Sequence, residues 1–161
     1  MRFAIVVAGL SAMLLAAGSA MAADVPKARI VRDADAICSL ENGRLAQVKN
    51  PPKYASAKDI TPARLRLWAP WFKRWAALKR DESKRIGALG SPREPAARSA
   101  WRRWKMLVAT VQVPAFANAA TAASHGDVKR FTTAFGAAGR SDSEANKVAK
   151  LLGFHVCSWD G

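Results

Sequence analysis

Few side chains in this sequence could take part in bond-making chemistry. There are two cysteines, Cys38 and Cys157, and two histidines, His125 and His155. A Cys–His metal site would need both cysteines as free thiols, and zinc's tetrahedral shell would exhaust the supply of ligands. No G-x-S-x-G, P-loop, H-E-x-x-H or C-x-x-C occurs, and no C-x-x-C-H that would attach haem. Acids are scarce and scattered, so spacing alone offers no carboxylate pair of the glycosidase kind. The sequence therefore predicts no catalytic residue, no metal site and no cofactor. One acid is out of place: Glu82 falls in the middle of an apolar helical face. A lone buried carboxylate is costly, so it should find a cation in a structural ion pair or lie where the core frays, and the ion pair is favoured.

The other chemistry available is charge. Between Arg64 and Lys105 stand 13 Lys+Arg and 3 Asp+Glu, together with five of the six tryptophans: Trp68, Trp71, Trp75, Trp101 and Trp104. Cations interleaved with aromatics are the footprint of nucleic-acid or membrane-surface binding. A helical step of about 100° per residue separates the two sets. Trp68, Trp71, Trp75, Leu78, Ile86 and Leu89 share one face, and Arg66, Lys73, Arg80 and Lys84 share the opposite one. Farther on, Trp101, Trp104, Val108, Val111 and Ala115 share a face, flanked by Arg98, Arg102 and Lys105. The indoles thus read as core and the cations as surface. Those seven cations are the candidate polyanion contacts. Met106, Val113 and Phe116 form a secondary apolar strip that would either widen the core or mark a partner surface.

The elements that must position these residues are helices. Strand-like alternation is nearly absent, alanine is abundant, and apolar residues recur at three and four. A first helix spans about Ile30–Lys49, with Ile30, Ala34, Ile37, Leu45 and Val48 inward, and Asn50-Pro51-Pro52 ends it. A second starts at Thr61-Pro62 and runs to about Leu89, with a kink or break expected at Pro70 and a stop at Gly90. A third opens at Ser91-Pro92-Arg93-Glu94, read as a capping box, and continues to about Ser124 with a bend at Pro114. After the turn His125-Gly126-Asp127, a fourth carries Val128, Phe131 and Phe135. Gly136–Arg140 weakens it, and a second capping box at Ser141–Glu144 leaves room for a separate helix to Leu152. Short connections between long helices predict an all-α antiparallel four-helix bundle.

Export precedes the fold. The chain has 161 residues, 26 Lys+Arg against 12 Asp+Glu and 50% hydrophobic residues, which suits one domain and is too apolar for a disordered basic tail. Arg2 followed by the apolar run Phe3–Ala17 and the A-x-A site Ala20-Met21-Ala22 reads as a cleaved secretory signal. Residues 1–22 are thus predicted as signal peptide and 23–161 as one helical domain carrying a formal +13. Leu15-Ala16-Ala17-Gly18-Ser19 looks like a lipoprotein box in which serine replaces the lipidated cysteine, so release is expected rather than anchoring. No later run predicts a transmembrane anchor, and the chain should be secreted or periplasmic. An oxidising compartment favours pairing of Cys38 with Cys157, against two free thiols or an intermolecular bridge. Net positive charge outside the cytoplasm points to an anionic envelope polymer or lipid head groups; nucleic acid would bind without sequence selectivity.

Two segments carry a resemblance. Asp33-Ala34-Asp35-Ala36-Ile37-Cys38, with Glu41 and Asn42, is one. The other is His125-Gly126-Asp127 through Phe131, then Ala145-Asn146, Ala149, Leu152-Gly153-Phe154 and Cys157. Together these resemble a group of small exported, often lipoprotein-like bacterial proteins, common in actinobacteria, with a D-A-I-C start and an L-G-[LF]-x-x-C end. The resemblance implies a helical bundle clasped by Cys38 and Cys157 and carries over no catalytic residue. The reading that follows is an exported basic helical protein acting as a binding or envelope-interaction module, not an enzyme. Two alternatives stand beside it: a partner-binding subunit using Met106, Val113 and Phe116, and an enzyme with a site inside the bundle. The enzyme would need a deep polar pocket holding Glu82 or His125.

Overall fold

Capping chemistry decides where most of the helices begin and end. The computed structural model describes residues 24–49, 52–53 and 57–157, and there the chain is all-α apart from a two-residue bridge. Residues 1–22, expected to be a signal peptide, the expected helix stop at Asn50-Pro51, and Trp159 lie outside the described residues. The first helix, α1, spans Lys27–Ala46, and its N-cap residue, Pro26, has no side chain able to cap. The carboxylate of Glu94 takes that role from across the fold, accepting from the Lys27 amide at 3.2 and 3.4 Å.

α2 (Pro62–Gly87) starts as expected: the Thr61 hydroxyl accepts from the Arg64 amide at 3.3 Å and Pro62 fills the first turn. No break occurs at Pro70. Its ring lies on the exposed side, where water can satisfy the carbonyl that the missing N–H leaves free. The expected capping box at Ser91–Glu94 does not form. Ser91–Pro92 (β2) instead pairs in parallel with Asp24–Val25 (β1), and α3 (Pro95–Met106) starts after Glu94 with Pro95 in its first turn. Glu94 is occupied by the start of α1, and Pro95 supplies a second favoured start a turn later.

α3 continues without interruption through a π-helical stretch, Leu107–Gln112, into α4 (Val113–His125). Pro114 supplies the cause. It can give no amide to Thr110 and its ring crowds that carbonyl, and the wider π turn just before it relieves both. The wider turn also changes which side chains point inward. Val108 and Gln112 are buried, whereas Val111, expected inward on an ordinary wheel, is 42% exposed.

Gly126 at φ 68° ends α4, and the Asp127 carboxylate caps α5 (Val128–Leu152) by accepting from the Arg130 amide at 2.9 Å. α5 is one helix, not two. Ser141 and Asp142 spend their side chains on the π stretch instead of capping: the Ser141 hydroxyl donates to the Leu107 carbonyl at 3.2 Å, and Asp142 accepts from the Gln112 amide at 2.6 Å. Packing of buried Ala138 and Ala145 carries the helix through its glycines.

The core forms two clusters. One joins α1, α3 and the end of α5 around stacked Trp101 and Trp104, with Ile30, Ile37, Ile86, Leu152 and Phe154. The other joins α2, α4 and the start of α5 around Leu65, Phe72, Phe116 and Phe131, filled in by alanines such as Ala119 and Ala123. The continuous helix Pro95–His125 is, by length and composition, apolar enough to cross a membrane, contrary to the expectation of no such run. Half of its most apolar window is buried against the other helices.

Cys38 and Cys157 are bonded to each other, with Cα atoms 5.4 Å apart. Asp35, a turn before Cys38, accepts from the backbone amides of His155, Val156 and Cys157 at 2.9–3.1 Å. Gly153 at φ 85° makes the turn that brings Phe154 onto Trp101 and Trp104. The motif positions at the two chain ends thus build a structural clasp.

Candidate functional site

The seven candidate cations do not behave alike. Lys73, Arg80 and Lys84 are exposed along one side of α2 and form no ion pair among the described residues, and the same holds for Arg102 on α3. Three others have structural work. Arg66 donates to the His125 carbonyl at 3.4 Å beneath Gly126. Arg98 bonds the carbonyls of Pro92 and Arg93 and pairs with Asp24 at 3.2 Å, holding the chain's first described residues to the α3 start. Lys105 lies over the Trp101 ring, 5.3 Å from its centre. α2 packs mainly on α4, whereas α3 packs mainly on α5, so the seven belong to two separate sets. Lys73 and Arg80 line a shallow groove between α2 and α4, with His125 at its end and small residues such as Ala76, Ala120 and Thr121 as its floor.

The tryptophans divide too. Trp101 and Trp104 are buried, and the Trp101 indole donates to the Gly90 carbonyl at 2.8 Å. Trp68, Trp71 and Trp75 are half-buried against the second cluster. The secondary strip also separates: Phe116 is core, Val113 is half-buried, and Met106 is 54% exposed, so the three do not make one surface. His155 is exposed, with its backbone amide held by Asp35.

A partly enclosed cavity of about 240 Å³ lies where the two clusters meet. Trp75, Phe116 and Phe135 form its aromatic wall; the ring centre of Trp75 is 4.2 Å from that of Phe116 and 6.0 Å from that of Phe135. The disulfide closes the other side. The polar members are Glu82 and Lys79 from α2, Asp142 and Asn146 from α5, and Asn42 from α1.

Glu82 is 4% exposed and accepts two hydrogen bonds from the Lys79 ammonium at 3.0 and 3.2 Å, the favoured one of the two outcomes that its sequence position left open. Burial pushes its carboxyl above the usual glutamate range. Lys79 opposes this by charge and hydrogen bonding, and the negative charges of Glu41 and Asp142 add to it. Glu41, on α1, is answered by Arg44 at 2.8 Å and Arg85 at 2.9 Å, yet its second oxygen is buried with no donor among the described residues. Asp142 differs from both. Its donors are the neutral amides of Gln112 and Asn146, and no cation pairs with it among the described residues.

No family model, curated protein or solved structure matches this chain.

The function of the molecule is therefore read from its geometry. Asp142 and Gln112 are not site candidates from the sequence, and Asn42 and Asn146 enter there only as motif positions. A signal was present. Read as one helix, α5 carries Phe131, Phe135, Ala138, Asp142, Ala145, Ala149 and Leu152 at spacings of three and four, with a single acid in an apolar stripe. Ser141–Glu144 hid it by resembling a helix start.

Proposed function

We propose that this protein is an exported binding module: an up-down antiparallel four-helix bundle that docks on anionic envelope polymer or anionic lipid head groups through α2. The observation that carries this reading is the row Lys73, Arg80 and Lys84, exposed and without acidic partners among the described residues, beside the α2–α4 groove. A surface of one sign on a chain of net charge +14 attracts polyanions in a salt-dependent way. Arg102 adds to the field from α3. Arg66, Arg98 and Lys105 keep their internal contacts and contribute charge more than reach. The disulfide suits an oxidising compartment, in keeping with secretion or a periplasmic location. The motif-bearing ends suit kinship with the exported helical proteins named above, because those positions build the clasp.

The test is retention of the mature protein on heparin and on vesicles of anionic against zwitterionic lipid, across a salt series. Retention should fall steeply with salt and drop at least about ten-fold on reversing Lys73, Arg80, Lys84 and Arg102 to Glu. No retention at low salt, or none lost on reversal, refutes the reading. The partner-subunit alternative weakens because Met106, Val113 and Phe116 do not form one surface. The cavity holding Glu82 favours a second reading, in which the interior also takes a small molecule. His125 stands apart from it, on the α2–α4 groove.

A further inference from the structure

We propose that the cavity between the two core clusters binds a small organic ammonium compound, with Asp142 as its counter-ion and the packed rings of Trp75, Phe116 and Phe135 as its aromatic wall. Charge comes first. Three carboxylates lie near one another here: Glu41 is matched by Arg44 and Arg85, Glu82 by Lys79, and Asp142, among the described residues, by neutral amides alone. An acid-poor, strongly cationic protein thus lines an apolar-walled cavity with a half-buried carboxylate that has no cation partner among the described residues. A bound cation would offset the part of its hydration that burial removes.

The wall favours the same charge. Aromatic faces attract cations through their quadrupole, and packed rings that line one cavity with a carboxylate suit an alkylated ammonium, whose methyl groups pack well on rings. Ordinary anions are disfavoured by Asp142 and Glu82, and a purely apolar guest leaves Asp142 unmatched.

A cavity of about 240 Å³ admits a molecule of a few heavy atoms and little more.

The experiment is calorimetric titration of the oxidised mature protein with choline and with 3,3-dimethylbutan-1-ol, a neutral molecule of the same shape, and with inorganic phosphate as an anion control. Choline should bind one-to-one and at least about ten-fold more tightly than its neutral counterpart, since charge pairing and the cation–ring attraction are both lost in the latter. D142N should remove most of that preference. F135L should narrow it while leaving Asp142 and its amides in place, which guards against a fold defect in D142N. The quadruple reversal on Lys73, Arg80, Lys84 and Arg102 should leave choline affinity within about two-fold, so that failure of surface docking and failure of this site are read separately. Equal affinity for choline and the neutral alcohol, no heat from choline up to tens of millimolar, tighter binding of phosphate, or an unchanged preference in D142N would each overturn the proposal.

Discussion

The two halves of the molecule are held by different means. The clasped half, around Trp101, Trp104 and Phe154, is pinned by contacts between distant chain positions: the Cys38–Cys157 bond, Asp35 on the tail amides and Glu94 on the start of α1. The other half, around Phe72, Phe116 and Phe131, has no covalent tie and relies on alanine faces that let α2, α4 and α5 approach closely. The first half contains the disulfide and the tail that Asp35 holds, and the second displays Lys73 and Arg80, which form no ion pair among the described residues. Where the two meet, neither the large aromatics of the one nor the alanines of the other fill the space, and the cavity lies there. Strong long-range fastening thus marks the structural end, and the polar residues left at the seam mark the end of structural demand.

The comparison can be broken in the clasped half first. Replacing Cys38 and Cys157 by serine should cost on the order of 4–5 kcal/mol, because the bond closes a loop of about 120 residues. Denaturant unfolding would show it, and amide exchange should lose protection first in α1 and the tail. Intact mass after alkylation should reveal two thiols only when the protein is reduced beforehand. A stability loss below about 1 kcal/mol would mean that the clasp is already secured by packing.

In the other half the equivalent element is a side chain. Phe72 is buried and contacts Phe131 and Phe135 at 4.9 and 5.9 Å between ring centres. Phe72→Ala should cost about 3–5 kcal/mol as a core truncation, with unfolding still in a single transition if the halves are coupled through α2 and α5. Two separate transitions would show that the halves are independent units.

Asp35→Ala should cost about 2 kcal/mol, since three amides lose a charged acceptor while some of them regain water. The loss should be clearly smaller in the reduced protein, where the tail is no longer pinned beside α1, and an equal loss would separate Asp35 from the disulfide.

The smallest effect sits at the seam. The Glu82 carboxyl is held above its usual range by burial, with Lys79 facing it from α2, Glu41 from α1 and Asp142 from α5. Its folded form therefore keeps a proton that the unfolded chain has already released. Stability contributed by this group is present below the unfolded value of about 4.3 and falls as pH rises through the folded value. Glu82→Gln removes that fall, so the variant should gain on the wild type between pH 4 and pH 7 in melting temperature. A parallel pH dependence of the two proteins would show that Lys79 fully compensates the burial.

Much of the framework was legible because its causes are local. Thr61 and Pro62 start α2, Asp127 starts α5, and Gly153 ends it, each through contacts within a few residues. The outward placement of Lys73, Arg80 and Lys84 follows from helical period alone. Ser91–Glu94 and Ser141–Glu144 misled for one reason. The same short polar side chains that cap a helix can bond across the fold, and only the neighbouring elements decide between the two uses. Glu94 was claimed by Lys27, Ser141 by Leu107 and Asp142 by Gln112.

By itself the sequence determined that this chain is helical, which side of α2 faces water, and where most helices are capped, because period and capping act over a few residues. The expectation of export and an even cysteine count also pointed to the Cys38–Cys157 bond. The tertiary structure alone decided the register of the π stretch, the unbroken course of α5 and the meeting of Trp75, Phe135 and Asp142 around one cavity. Those depend on how helices far apart in the chain pack, and no local rule encodes which space their side chains leave unfilled.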